Sequence, residues 1–189
     1  MKTVKNECFI EFEEKKSKFI GYIKPVSTKE EAEEFIRNIK SKHRDATHNC
    51  SAYKILNEKE FFKMDDDGEP SGTAGKPIGD TIKNMKVENV VIVVTRYFGG
   101  IKLGAGGLIR AYSRAAKEAI LFAEIIDYIK TEIITIQFLY EKSSEIDKLI
   151  EKYNGTLLDK VFSDRITYKL KINSDFIEEI KKYENIMII

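Results

Sequence analysis

Two histidines, a cysteine and a run of acids are the first side chains here whose types could do chemistry. His43, His48 and Cys50 fall within the eight residues HRDATHNC, and Asp65-Asp66-Asp67-Gly68-Glu69 follows soon after. Imidazole, thiolate and carboxylate all bind zinc, so His43, His48, Asp66 and Glu69 could build a metal-dependent or acid–base hydrolytic site. The spacing matches no established ligand pattern, and no base is visibly placed to activate the thiol. The competing reading is a polar loop leading into a strand, with Cys50 as a small core residue. The acids also fail as a calcium loop, because aligning Gly68 with the required glycine puts Lys63 first and Ala74 last. No catalytic residue, metal or cofactor is assigned.

A second chemical possibility is phosphate binding, since five of the 11 glycines lie between Gly99 and Gly107. Gly72-Thr-Ala-Gly75-Lys76-Pro77 is two residues short of a P-loop and has Pro where the magnesium-binding hydroxyl belongs. Gly104-Ala-Gly106-Gly107 lacks the last glycine of a dinucleotide fingerprint. Neither motif is accepted, although free amides at a helix start there would favour an anion.

The clearest signal is a charge imbalance. No Asp or Glu occurs between Glu88 and Glu118, whereas Arg96, Lys102, Arg110, Arg114 and Lys117 do. Positions 110, 114 and 117 share one face of a helix. Arg96-Tyr97-Phe98 adds a cation and two flat rings, a mixture suited to RNA bases. Internal pairing with Asp65, Asp66, Asp67 and Glu69, or service to the helix dipole by Lys117, are the competing uses.

These residues need elements to hold them. With 189 residues, 42% of them hydrophobic and 33% charged, the composition is that of a soluble globular chain. A net charge of +1 supplies no global field toward nucleic acid or membrane. No apolar run is long enough to span a membrane, no signal segment opens the chain, and two distant cysteines suggest no disulfide framework. A cytoplasmic protein is expected. Strands are predicted over 7–12, 18–23, 50–56, 60–64 and 89–95, with a hairpin at Asn57-Glu58-Lys59. Helices are predicted from Thr28, through the capping box Thr28-Lys-Glu-Glu31, and from Gly104 to Phe122. Ile109, Tyr112, Ala116 and Ile120 are expected to form the apolar face of the latter, beside Leu108, Ala111, Ala115 and Phe122. From 129 onward the order βαββαβ is the ferredoxin-like plan, giving an α+β chain with domains at 1–128 and 129–189.

KSKFIG (16–21), HNCSAYKI (48–55), DDGEPSGTAGKPI (66–78) and TRYFGGIKLGAGGLIRAY (95–112), in this order, resemble the IMPACT/YigZ family. The likeness covers residues 1 to about 125. It implies an N-terminal fold similar to the second domain of a small-subunit ribosomal protein and to domain IV of the translocating elongation factor. The ferredoxin-like unit would then resemble that factor's domain V. Eukaryotic relatives restrain amino-acid-starvation signalling by competing for a ribosome-associated activator, partly through an N-terminal RWD domain. That domain does not precede the module here, so that partner is not carried over. The motif residues include His48, Asp66, Glu69, Ser71, Thr73, Arg96, Tyr97, Lys102 and Arg110.

Together these readings point to a non-enzymatic accessory protein of translation or stress regulation that touches RNA or the ribosome, with no membrane role. Its expected surface is Arg96, Tyr97, Lys102, Arg110 and Arg114, framed by His48, Asp66, Glu69, Ser71 and Thr73. A hydrolase built on His43, His48, Asp66 and Glu69, and a protein-binding module using residues 65–80, are the alternatives.

Overall fold

The computed structural model describes residues 1–56, 60–129 and 131–189. The chain divides into two compact units, Met1–Tyr128 and Ile129–Ile189.

The first unit is a five-stranded antiparallel sheet with helices on both faces. Its strands are β2 (Cys8–Glu14), β3 (Ser17–Pro25), β4 (His48–Leu56), β5 (Glu60–Asp65) and β6 (Val90–Tyr97), in the spatial order β2-β3-β6-β4-β5. The short β1 (Lys2–Val4) pairs instead with β7 (Ile125–Asp127). Central β6 is β-branched and uncharged through Thr95 because both its faces are covered. Helix α1 (Lys29–Lys42) packs Ala32, Phe35 and Ile39 with Ile20, Tyr22, Val91 and Val93. On the opposite face lie α2 (Gly75–Asn84) and α3 (Ala105–Phe122), whose Ile78, Ile82, Leu108, Tyr112 and Ile120 join Phe19, Ile23, Ile92 and Val94.

Local chemistry fixes the ends of these elements. Thr28 Oγ1 accepts from the Glu31 amide at 3.2 Å, and Glu31 Oε2 accepts from the Ser27 amide at 2.7 Å. This is the expected capping box with its return bond one residue earlier. The β2–β3 turn puts Lys15 and Lys16 at φ 47° and 62°, as a two-residue hairpin turn requires. The predicted hairpin at Asn57–Lys59 lies outside the described residues, but β4 and β5 pair antiparallel on either side of it. Helix α2 has no counterpart among the predicted elements. On α3 the expected apolar positions Leu108, Ala111, Tyr112, Ala115, Ala116 and Ile120 are buried together with Ala119, whereas Ile109 and Phe122, also expected there, are exposed.

The second unit runs β8 (Thr131–Phe138), α4 (Ser143–Lys152), β9 (Thr156–Phe162), β10 (Ile166–Asn173), α5 (Ser174–Ile180) and β11 (Met187–Ile188). The strand order β11-β8-β10-β9, antiparallel throughout, is that of a split βαβ sandwich. Ile136, Phe138, Tyr168, Leu170 and Ile172 meet Ile146, Ile150, Phe176 and Ile180 in its core. The cap of α5 is Asn173, whose side chain accepts from the Phe176 amide, rather than the Ser or Asp that follows it. Among the described residues no helix is long and apolar enough to cross a membrane.

Candidate functional site

Strand β6 delivers Arg96 and Tyr97 to opposite faces of the sheet, because successive strand side chains alternate. Arg96 therefore leaves the exposed face expected of it. Its side chain is only 7% exposed, and Nη1 donates to Glu69 Oε1 at 2.7 Å. Nη2 reaches Ser17 Oγ at 3.4 Å, and the guanidinium lies near the rings of Phe19 and Phe98. Tyr112 of α3 donates to the same Glu69 oxygen at 2.7 Å. Beyond it, the Cys50 sulfur lies 3.4 Å from the Tyr112 hydroxyl and donates to the Asp66 carbonyl at 3.0 Å. Burial, then these neighbours, pushes the Tyr112 hydroxyl far above its ordinary value, and burial likewise raises the Cys50 thiol. Cys50 is thus held as an inert thiol, with none of the thiolate character a nucleophile needs.

Tyr97 belongs to a different network on the α1 side. Its hydroxyl donates to Asp45 at 3.1 Å and lies 2.8 Å from His43 Nδ1, while Tyr22 Oη lies 2.7 Å from His43 Nε2. Because Tyr97 spends its proton on Asp45, His43 Nδ1–H donates to Tyr97 and Nε2 accepts from Tyr22. Burial, followed by Lys42, lowers the His43 pKa from its usual 6.5. Both ring nitrogens are occupied.

Asp66 is also committed locally. It accepts from the amides of Gly72, Ala74 and Gly75 at 2.8, 3.0 and 2.8 Å. Burial alone would raise its carboxyl, but the three amides hold it below the ordinary range. Thr73 is buried and donates to the Pro70 carbonyl at 2.6 Å, whereas Ser71 is exposed. The acids on either side, Asp65 and Asp67, pair with Lys40 at 3.4 and 2.6 Å. The DGEPSGTAG stretch is therefore a self-bonded scaffold that starts α2 and presents Glu69 to Arg96. His43 and Asp66 do not join His48 and Glu69. Among the described residues no group of three or more His, Cys, Asp or Glu side chains could hold a metal ion.

On α3 the remaining cations do face solvent. Arg110, Arg114 and Lys117 are exposed, except that Arg114 is partly neutralised by Glu118 at 2.7 Å and lies over the Phe12 ring at 4.0 Å. Lys102 stands exposed just before the helix. Lys102, Arg110 and Lys117 make no ion pair among the described residues, and none of the cations on α3 reaches the acidic run. Lys15 of the β2–β3 turn, together with Glu14, lines the same groove as Arg110 and Arg114.

The glycines shape the approach to α3. A Cβ on Gly99 would collide with the Lys16 carbonyl group, so the loop can pass the β2–β3 turn only as glycine. Gly104 takes φ 72° and begins α3 with no side-chain cap. Beside that helix start, Thr47, His48, Glu69, Pro70, Arg96, Phe98, Lys102, Leu103 and Leu108 line a cleft of about 370 Å³. His48 Nδ1 lies 2.8 Å from the Asp67 carbonyl, and its Nε2 lies 3.8 Å from Glu69 Oε2.

Residue types alone do not reveal Tyr112 and Ser17 as partners of Glu69 and Arg96. An apolar face is the correct place for the Tyr112 ring, but periodicity is silent about its hydroxyl. The visible hint is an Arg and a Glu, both inside glycine-rich motifs, with no helical or strand spacing to pair them.

A family model described as the Impact N-terminal domain matches residues 15–120. "IMPACT family member YvyE" of Bacillus subtilis (strain 168) is 40% identical over 167 residues, covering 88% of this chain and 77% of its own length. "IMPACT family member YigZ" of Escherichia coli (strain K12) is 33% identical over 149 residues, covering 77% and 72%. A crystal structure described as that of a hypothetical protein is similar with a TM-score of 0.68 and 25% identity, over 100% of this chain and 95% of that one.

Proposed function

The chain belongs to the IMPACT family, and on that premise we propose that it is a cytoplasmic regulatory protein of translation that acts by binding RNA, free or within the ribosome. The observation that carries the proposal is the outer face of α3. There Arg110 and Lys117 stand exposed and without ion-pair partners among the described residues, beside Arg114, in a sequence window that holds no carboxylate from residue 89 to 117. Lys102 and the uncapped start of α3 extend the same field. Such cations gain most when they neutralise phosphates and release counterions, so affinity falls steeply with salt.

Arg96 and Tyr97 have other duties in this reading. Arg96 supports the cleft wall from within, and Tyr97 ties the end of α1 to the end of the central strand. Asp66, Glu69, Ser71 and Thr73, on the loop that Asp66 organises, and His48, at the start of β4, frame the surface.

The test is co-sedimentation of the full chain with ribosomes, and separately its binding to structured RNA, across a salt series. Binding that weakens linearly in log–log form with salt is expected. Absence of binding at low salt would overturn the proposal.

A further inference from the structure

The cleft beside α3 carries two kinds of unfilled bonding capacity. Both protein donors that reach Glu69, Arg96 and Tyr112, bond Oε1, which leaves Oε2 without a hydrogen bond among the described residues on a side chain only 2% exposed. Its polar neighbour is His48 Nε2, 3.8 Å away. His48 Nδ1 faces the Asp67 carbonyl, which can only accept, so the proton of the neutral ring resides on Nδ1 and Nε2 offers a lone pair. Two acceptors thus stand side by side in the wall of a cavity. A ligand that donates to both would exchange their contact with water for direct hydrogen bonds, one of them to a charged acceptor.

The second capacity is for an anion. Helix α3 opens at Gly104 with no side-chain cap, its first amides pointing outward, and Lys102 lines the same cleft without an ion-pair partner among the described residues. Between the two ends the lining is apolar, from Phe98, Leu103, Leu108 and Pro70, and the Phe98 ring is 45% exposed.

A ligand that satisfies all three features has a negative group, a flat ring and two neighbouring N–H donors. We infer that the cleft receives one unstacked guanine nucleotide. Its phosphate lies at the start of α3 with Lys102, its base lies beside Phe98, and N1–H and N2–H face Glu69 Oε2 and His48 Nε2. Guanine alone among the four RNA bases presents adjacent donors on its pairing edge; adenine, cytosine and uracil each place an acceptor beside the donor and would oppose the carboxylate. A free amino acid also joins an anion to N–H donors, but it would leave most of the roughly 370 Å³ empty. The inference rests on the RNA-binding proposal, and it names the nucleotide that the same region selects.

The experiment titrates the full chain with GMP, IMP and AMP by calorimetry, and with 5′-phosphorylated single-stranded oligonucleotides carrying one guanine or none. GMP is expected to bind about ten- to a hundredfold more tightly than AMP, with IMP between them because it lacks the N2 donor. Phe98→Ala, at an exposed ring, should weaken GMP about tenfold or more while leaving the circular dichroism spectrum unchanged. His48→Gln should narrow the gap between GMP and IMP. Binding of GMP assigns a free nucleotide as a ligand, and guanine-dependent binding of oligonucleotides alone assigns a chain-borne one. Equal affinity for GMP and AMP together with guanine-independent oligonucleotide binding, or preference for an amino acid, overturns the inference. Guanine-free RNA is titrated in parallel: if it still binds with strong salt dependence, only the guanine pocket has failed, and if nothing binds, the RNA-binding proposal has failed with it.

Discussion

Arg96 and Glu69, 27 residues apart, form an almost fully enclosed ion pair with Nη1 and Oε1 2.7 Å apart. Enclosing two charges costs several kcal/mol in lost hydration, so the net stability gained from the intact pair is small. Breaking it is another matter. Glu69→Ala leaves the guanidinium buried with only Ser17 and strips Tyr112 of its acceptor. It should destabilise the fold by about 3–5 kcal/mol, read as a lowered midpoint in urea. Replacing both charges together, Arg96→Met with Glu69→Leu, should cost less than the sum of the single changes. Additive losses would contradict a coupled pair.

His43 makes stability depend on pH. Its folded-state pKa lies below the usual 6.5, so the folded protein favours the neutral ring. The stabilising contribution is complete above the unfolded value near 6.5 and is lost as pH falls through the lowered folded value. Protonation also removes the hydrogen bond that Nε2 accepts from Tyr22. Urea midpoints compared at about pH 8 and about pH 5 should fall in the wild type. The fall should be shallower in His43→Gln, and identical slopes would contradict this account.

Neighbouring glycines should respond differently to alanine. Gly99→Ala drives a Cβ into the Lys16 backbone and should lose more than about 3 kcal/mol, since rigid chain has to move. Gly100 has open space around it and only a positive φ of 86°, so Gly100→Ala should lose about 1 kcal/mol. Thermal melts of the two variants measure the order directly.

Asp66 links the loop to α2. Asp66→Ala removes three charge-assisted bonds to amides and should destabilise by about 2 kcal/mol or more, with Asp66→Asn intermediate. The depressed carboxyl contributes its stability above the ordinary carboxylate range and loses it as pH falls through the lowered folded value. Acid unfolding should therefore be less steep in Asp66→Asn than in the wild type, a comparison that equilibrium fluorescence of the tyrosines can make.

Much of the fold is legible because periodicity reports burial. The alternation of β10 and the uncharged run of β6 correspond to one covered face and two. Helix α2 is hidden because Gly75, Pro77, Gly79 and Asp80 read as turn formers. Pro77 sits in the first turn, where no amide is lost, and Gly79 lets the helix lie against Met64 and Phe62 of β5. Its only helical signature is Ile78 and Ile82, four residues apart.

The candidate site is legible in its helix and illegible in its strand. Cations at 110, 114 and 117 share a face by helical geometry alone. Arg96 looks equivalent to them in composition, yet β6 turns it inward, where Glu69 arrives from a loop that no local rule connects to it. The same alternation separates Arg96 from Tyr97. Long-range pairing of this kind depends on the order of strands in the sheet, which nearest-neighbour chemistry does not contain.

The central claim is that the outer face of α3 binds RNA, and fluorescence anisotropy with a labelled, guanine-free single-stranded RNA tests it most directly. The wild type is compared over a salt series with an Arg110→Glu, Lys117→Glu variant whose stability should change by no more than about 0.5 kcal/mol, both sites being exposed. Loss of two phosphate contacts should reduce the log–log salt slope by about 1.4 and weaken binding at every salt concentration. A variant that keeps both the affinity and the slope of the wild type would contradict the account.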